Sequence, residues 1–254
     1  MSPEWIRGPG YRSVALSHAG CRRANNEDNF GQSAELHLVA VADGMGGHER
    51  GEVASRLAVE TVLRELGQRR PLADAVKAAN DYVCKQDSGA GLNMGTTLVA
   101  VQLEPDSAGW HAVWVGDSRI YRLRAGELEQ ISSDHTLVNE LMATGLLNEE
   151  EARNHPERHR LTRALGGGQC EFPLEVDERA GSCEPGDIFL LCSDGLSGVL
   201  DDATLCDTLL AAEDDLEHAA QSLLQQTLDG GAPDNVTMVL LQWLGEEMDD
   251  EDGA

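Results

Sequence analysis

Apolar positions along the chain follow two rhythms. Arg12–Ser17 alternates polar and apolar residues, and Leu36–Ala42 is a short β-branched run that closes on Asp-Gly, so both predict strands. Glu52–Leu66 sets Val53, Leu57, Val59, Val62, Leu63 and Leu66 at helical spacing, and Leu72–Val83 does so again, which predicts two amphipathic helices. The pattern then returns to strands at Thr97–Leu103, Trp110–Val115, Arg119–Leu123 and Leu128–Ile131, with a turn at Ala125-Gly126. That succession reads as an antiparallel meander. Asp134–His159 is helical in spacing through Leu137, Leu141 and Met142 and then turns polar, rich in Glu and His. A polar insertion of this kind between strands is a candidate flap, spanning about 137–160. Ile188–Cys192 predicts a strand, Asp201–Ala212 and Leu216–Leu228 helices, and Asn235–Leu244 a last strand. Strands and helices come in separate groups rather than in βαβ alternation, which favours α+β layers over a doubly wound sheet. No repeat or low-complexity linker interrupts the pattern, so a single domain over 1–245 is expected, with 246–254 a solvated, disordered acidic tail.

Charge narrows the function. The chain has 254 residues with 19 Lys+Arg against 45 Asp+Glu, a formal net charge of −26. Nucleic acid and anionic membranes are bound through clustered Lys and Arg, so neither is an expected partner. The first twenty residues lack the basic and apolar regions of a secretory signal. The longest apolar runs, Leu38–Ala42 and Ile188–Cys192, fall far short of the ~20 residues that span a bilayer. A cytoplasmic monomer is expected. The six cysteines form no C-x-x-C pair and are scattered, which fits reduced, buried or partly buried thiols rather than a disulfide framework or a zinc site.

The candidate chemistry lies in five aspartates. Asp28 sits in Asn-Glu-Asp, Asp43 in Ala-Asp-Gly-Met-Gly-Gly-His, Asp117 in Val-Gly-Asp-Ser-Arg, Asp194 in Cys-Ser-Asp-Gly-Leu and Asp234 in Pro-Asp-Asn-Val. A lone Asp-Gly is ordinarily a turn with a solvated carboxylate. Here apolar runs lead into Asp43, Asp117 and Asp194 and another leaves Asp234, so convergence of the strand ends would bring the carboxylates into one cleft. Like charges gathered there require cations, and oxygen ligands without convergent His or Cys select magnesium, manganese or calcium. The Gly44 carbonyl is a further candidate ligand. Arg23, five residues before Asp28, suits bidentate recognition of a phosphate dianion, although a salt bridge to a neighbouring acid is the simpler reading of that residue alone. Divalent metals with one arginine fit metal-assisted hydrolysis of a phosphate ester, in which two ions ~3.5–4 Å apart clamp a bridging water. No cysteine stands in the H-C-x5-R arrangement of a thiolate phosphatase. The turn Gly44-Met-Gly-Gly fails as a dinucleotide-binding turn because the third glycine position is Glu49.

These motifs, in order, resemble the PPM family of metal-dependent serine/threonine protein phosphatases (type 2C), bacterial branch. The landmarks are Ser17-x-x-Gly20, Arg23-Ala-Asn-Asn-Glu-Asp28, Asp43-Gly-Met-Gly-Gly-His48, Gly95-Thr-Thr97, Val115-Gly-Asp-Ser-Arg-Ile-Tyr121, Asp134-His-Thr136, Leu161-Thr-Arg-Ala-Leu-Gly166, Ser193-Asp-Gly195 and Asp234-Asn-Val-Thr237. The resemblance implies a four-layer α-β-β-α sandwich, two central antiparallel sheets flanked by helices, with metals at one end. By carry-over Asp43 bridges two manganese or magnesium ions, Asp194 and Asp234 complete the first, the Gly44 carbonyl serves the second, and Asp28 lies near it through water. Asp117 with Asp194 matches a third, weaker metal position, and Arg23 matches the phosphate-binding arginine. Asn139–His159 matches the flap that contributes to substrate choice. The chain departs from many eukaryotic members at Met45, where they carry a histidine proposed as general acid. His48 is read as a cap or packing residue, and His155 and His159 as surface or substrate-contact residues. The implied partners are phosphorylated proteins, a Ser/Thr kinase and its targets. The stretch from Asn154 resembles phosphatases linked to type VI secretion, which act on a forkhead-associated scaffold. The alternative is a non-catalytic phosphoprotein-binding module that keeps the fold.

Overall fold

The two longest apolar runs become central strands with protein on both faces. The computed structural model describes residues 3–46, 50–87, 94–168, 170–213 and 215–245. In chain order, β1 (Glu4–Gly8), β2 (Tyr11–His18), β3 (Asn29–Ser33), β4 (Leu38–Ala42) and the short β5 (Gly44–Met45) lead into helices α1 (Arg50–Gly67) and α2 (Leu72–Asp87). Strands β6 (Gly95–Thr96), β7 (Leu98–Glu104), β8 (Gly109–Val115), β9 (Arg119–Arg124) and β10 (Glu127–Gln130) come next, then helices α3 (Leu137–Ala143) and α4 (Glu149–Arg153). The remainder is β11 (Leu165–Gly166), β12 (Asp177–Ser182), β13 (Ile188–Cys192), helices α5 (Asp194–Ser197), α6 (Asp202–Ala211) and α7 (Leu216–Asp229), and β14 (Val236–Trp243).

The strands form a six-stranded sheet in the order β1-β2-β14-β13-β9-β10, a five-stranded sheet in the order β12-β8-β7-β4-β3, and a small sheet β11-β6-β5. All pairings are antiparallel. Successive side chains of a strand face opposite ways, and β14 uses both faces: Val236, Met238 and Leu240 pack with Leu205, Leu216 and Leu223 of the C-terminal helices, while Val239, Leu241 and Trp243 enter the layer between the sheets. In β4, Leu38, Ala40 and Ala42 meet Ala54, Ala58 and Val62 of α1, and Val39 and Val41 face the inter-sheet layer. Trp110 and Phe189 meet edge to face there, ring centroids 5.5 Å apart. Each fully buried Val or Leu in these layers contributes about 1.5–3 kcal/mol. Three apolar layers thus separate four structural ones, the α-β-β-α sandwich.

Two expectations are corrected. The segments from Thr97 to Ile131 are not one meander: β7 and β8 pair in the five-stranded sheet, whereas β9 and β10 belong to the six-stranded sheet. The chain crosses between sheets at Gly116-Asp117-Ser118. Gly116 makes the crossing with φ +107°, and a Cβ there would lie 2.5 Å from Thr97 Cγ2. The cysteines are not all free either. Cys84 of α2 is bonded to Cys170, and among the described residues Cys21, Cys183, Cys192 and Cys206 remain thiols, with Cys21 exposed. Spacing along the chain does not report that α2 and the segment after β11 lie side by side. Strands β1 and β12 also had no apolar signal, because both are edge strands with mostly exposed residues.

The flap segment forms two short helices rather than one. Thr136 caps α3, and Asn148 and Glu151 form a reciprocal capping box at α4. A bridge pairs Thr136 with Leu161, and Leu137 N donates to Arg160 O at 2.9 Å, so the segment closes on itself at its base. The predicted acidic tail and His48 lie outside the described residues.

Candidate metal centre

Strand register brings the five aspartates to one end of the sandwich. Asn29 pairs with Ala42, so Asp28 and Asp43 are the next residues outward on neighbouring strands. Cys192 pairs with both Met238 and Arg119, which sets Asp194, Asp234 and Asp117 at the matching end of the other sheet. The sheets are tied across this end by Ser193, whose hydroxyl donates to Asp28 Oδ2 at 2.8 Å while accepting from Thr237 N at 3.0 Å.

Asp43 is held through its backbone. Its N–H donates to Thr97 Oγ1 at 3.0 Å, and its carbonyl accepts from Thr97 N and Thr96 Oγ1, each at 2.9 Å. Thr97 Oγ1 in turn shares a 2.7 Å hydrogen bond with Ser118, beside Asp117. Gly44 follows where backbones approach so closely that a Cβ would fall 2.1 Å from Gly51 O and 2.5 Å from Glu27 O. Asn235 organises the loop carrying Arg23 and Asp28: its Oδ1 accepts from Glu27 N at 2.8 Å, and its Nδ2 donates to Ala19 O at 3.0 Å and Asn25 O at 2.9 Å. Ser17, Asn26 and Thr237 extend this network. Ser17, Thr97, Ser193, Asn235 and Thr237 lie inside the recognised motifs, but nothing in their residue types assigned them this supporting work.

The electrostatics record crowding. Burial pushes Asp28 up to about 7, the hydrogen bonds from Ser193 and Thr237 oppose this, and the charges of Asp194 and Asp234 add to it. Burial also raises Asp43 well above the usual carboxylate range, reinforced by Asp28, Asp194, Asp117 and Asp234. Asp117 is pushed up to about 7 by burial and then by Asp194 and Asp134. Asp194 is raised by burial and Asp234, against the lowering influence of His159, a hydrogen bond with Asp43, and Arg23. The charges of all five carboxylates thus act on one another at this end of the sandwich.

Arg23 Nη2 donates to Asp234 Oδ2 at 2.7 Å. The pair is a salt bridge at the rim of the carboxylate cluster, and the Arg23 side chain is 55% exposed. His159, in the flap, has its Nδ1 3.9 Å from Asp194 Oδ2. Met45 packs its Cε methyl toward Gly95 and Gly167 and has no proton to give.

The residues present suit a hard cation. The clustered donors are carboxylate and carbonyl oxygens, and Asp28 Oδ1 is buried without a hydrogen-bond partner. Among the described residues no three His, Cys, Asp or Glu side chains close into a finished cage. The carboxylates face a common space without their oxygens being drawn to a point, and a divalent charge supplies the compensation their mutual repulsion calls for.

Comparison with known proteins agrees with this arrangement. The family model described as Protein phosphatase 2C matches residues 17–245. The serine/threonine protein phosphatase PstP of Mycobacterium tuberculosis is 42% identical over 238 residues, covering 90% of this chain; the chain spans 44% of that relative's length. A solved structure of the PstP catalytic domain, in complex with two manganese ions, is similar with a TM-score of 0.79 and 38% identity, covering 91% of this chain and 97% of that one. The structure of PppA, described as a key regulatory component of T6SS in Pseudomonas aeruginosa, is similar with a TM-score of 0.79 and 36% identity, covering 94% of this chain and 99% of that one. Since the family model spans nearly all of the described chain and these relatives exceed 35% identity, the chain belongs to the protein phosphatase 2C family.

Proposed function

We propose that this chain is a metal-dependent phosphatase that hydrolyses phosphoserine and phosphothreonine on proteins. The observation that carries the reading is the convergence of Asp28, Asp43, Asp117, Asp194 and Asp234, from both sheets, into one mutually repelling cluster with Arg23 at its rim. Asp43, Asp194 and Asp234 would hold one ion, Asp43 and the Gly44 carbonyl a second with Asp28 near it, and Asp117 with Asp194 a third. Manganese or magnesium bound there supplies charge stabilisation to the phosphoryl oxygens and activates water as the nucleophile. The manganese-bound structure of a 38%-identical relative supports this metal choice.

The chain's own residues do the rest. Arg23 keeps N–H groups beyond the one given to Asp234, and these orient the phosphoryl dianion at the rim. Thr96 and Thr97 fix the Asp43 backbone and Ser193 holds the Asp28 carboxylate by hydrogen bonds, so that little reorganisation accompanies the reaction. Met45 cannot protonate the leaving seryl or threonyl oxygen, so that proton comes from elsewhere than this position. The described chain works as a single phosphatase domain whose flap, about 137–160, borders the cleft and contacts the substrate protein.

The substrates we propose are a bacterial Ser/Thr kinase and its phosphorylated targets, such as a forkhead-associated scaffold, in the cytoplasm. The likeness to PppA supports a place in type VI secretion control. An adjacent kinase gene with secretion components would support that assignment, and a cell-wall or sporulation cluster would redirect it. The central test is hydrolysis of an aryl phosphate and a phosphothreonine peptide by the purified protein with added manganese, and its loss with chelator. Folded wild-type protein that turns over neither substrate in saturating manganese would overturn the reading in favour of a phosphoprotein-binding module.

A further inference from the structure

The histidine of the Asp134-His-Thr motif enters none of the roles above, yet it is buried, 5% exposed, beside the crossover that carries Asp117. His135 holds both backbone polar groups of Gly116. Its N–H donates to Gly116 O at 2.9 Å, and its ring Nδ1 accepts from Gly116 N at 3.1 Å. Gly116 has φ +107°, the conformation that sends the chain from one sheet to the other. Clamping both sides of that glycine sets the direction in which the next residue, Asp117, leaves.

The ring can accept at Nδ1 only as the neutral tautomer with its proton on Nε2. Nε2 lies 3.3 Å from Asp177 Oδ2, a charge–dipole contact outside hydrogen-bond alignment that favours the proton on Nε2. Arg163 Nη1 donates to the other oxygen, Asp177 Oδ1, at 2.7 Å. Asp177 pairs with Trp114 at the start of β12, so the carboxylate is fixed to the same sheet that delivers Gly116. His135 O also accepts from Thr162 N at 2.9 Å, where the flap rejoins the sandwich. One residue thus joins the Asp117 turn, the flap exit and a carboxylate-guanidinium pair.

We infer that His135, its tautomer selected by Asp177 and Arg163, is a positioning residue that aims the Asp117 carboxylate and thereby sets the affinity of the weakest of the proposed metal positions. The inference rests on the metal-dependent reading above. Outer partners that orient a ligand typically contribute 10–100-fold to metal affinity. The other groups facing the ring are Asp134 and Arg163, and neither replaces the bond to Gly116 N.

The test measures manganese binding by calorimetry alongside the manganese dependence of aryl phosphate hydrolysis. His135→Leu removes the acceptor, His135→Asn keeps a carbonyl oxygen near the Nδ1 position, and Asp177→Ala removes the tautomer selector from a partly exposed site. We expect the weak class of manganese sites to lose about tenfold or more in affinity in His135→Leu, with the tight class unchanged and the activity recovered at high manganese. Asp177→Ala should show the same selective loss in smaller degree, and His135→Asn should restore most of it. Unchanged weak-site affinity in Asp177→Ala, equal loss at tight and weak sites, or no advantage of Asn over Leu would each overturn the inference. If His135→Leu does not fold, the Asp177→Ala and His135→Asn binding curves decide alone. Wild-type protein that neither binds manganese nor hydrolyses the ester would overturn the functional reading itself, whereas wild-type behaviour as proposed with insensitive variants overturns only the role of His135.

Discussion

Arg23 Nη2 lies 2.7 Å from Asp234 Oδ2, so the cation proposed to receive phosphate is already engaged by a carboxylate proposed to hold metal. The pair is at the cleft rim, where exposure makes it weak in itself. Its consequence is positional: the guanidinium is parked against the cluster and oriented before a phosphoryl group arrives. Arg23→Ala should raise KM about tenfold, at the low end for charged hydrogen bonds, and change kcat by less than about threefold. Steady-state kinetics on a phosphothreonine peptide measure this, and an unchanged KM would remove Arg23 from phosphate binding.

Asp194 is raised first by burial and then by the charge of Asp234, and it serves two of the three proposed ion positions. Asp194→Asn should reduce kcat/KM by about 10³-fold or more while leaving the fold intact. In chelator its melting temperature should match or exceed that of wild type, because one repelling charge is gone. A large loss of thermal stability together with the activity would assign Asp194 to the fold instead.

The pH dependence has a definite sign. Asp28 and Asp117 are both pushed up to about 7 in the native protein, first by burial, from the ordinary carboxylate value of about 4 that the unfolded chain keeps. Between those values the native state holds more protons than the unfolded state. The stability they contribute is therefore present below the unfolded pKa and is lost as pH rises toward and through 7. In chelator the melting temperature should fall by several degrees from pH 5.5 to pH 8, at about 2–4 °C per kcal/mol for a domain of this size. Asp117→Asn should flatten part of that slope. Manganese should reverse the trend, since cations bind the deprotonated carboxylates. A melting temperature in chelator that rises over this range, or a slope unaltered in Asp117→Asn, would contradict the assignment.

The Cys84–Cys170 disulfide closes a sequence separation of 86 residues. By the loop-entropy estimate such a link stabilises by up to about 4–5 kcal/mol. Reductant should therefore lower the melting temperature by roughly 5–15 °C, and Cys170→Ser should have the lower value and no response to reductant. Thiol titration in denaturant should find four groups before reduction and all six cysteines after it. Six reactive thiols in the untreated protein, or no melting shift, would remove the link.

Legibility followed burial. Strands β2, β4, β7, β8, β13 and β14 and helices α1, α2, α6 and α7 were visible because each buries an apolar face or both faces, which leaves a period in the sequence. Strand β12, Asp177–Ser182, carries no such period, because it pairs along one edge of β8 with its side chains largely exposed. The crossover at Gly116 leaves no local mark, because β8 and β9 look the same whether they pair with one another or with different neighbours. Asp43, Asp117 and Asp194 stood out at the ends of apolar runs, and Asp234 at the start of another. The polar residues that hold them did not, since Ser193, Asn235 and His135 act through partners 165, 208 and 19 residues away.

The sequence by itself determined the periods, the turns and the order of the acidic motifs, because those depend on residues close together in the chain. It was enough to predict the layers and the family resemblance. Only the tertiary structure decided which strands share a sheet, that Cys84 meets Cys170, that Arg23 rests on Asp234, and that His135 clamps the turn before Asp117. Each of these is a contact between distant segments, and its partner is selected by packing and register rather than by anything the local pattern records.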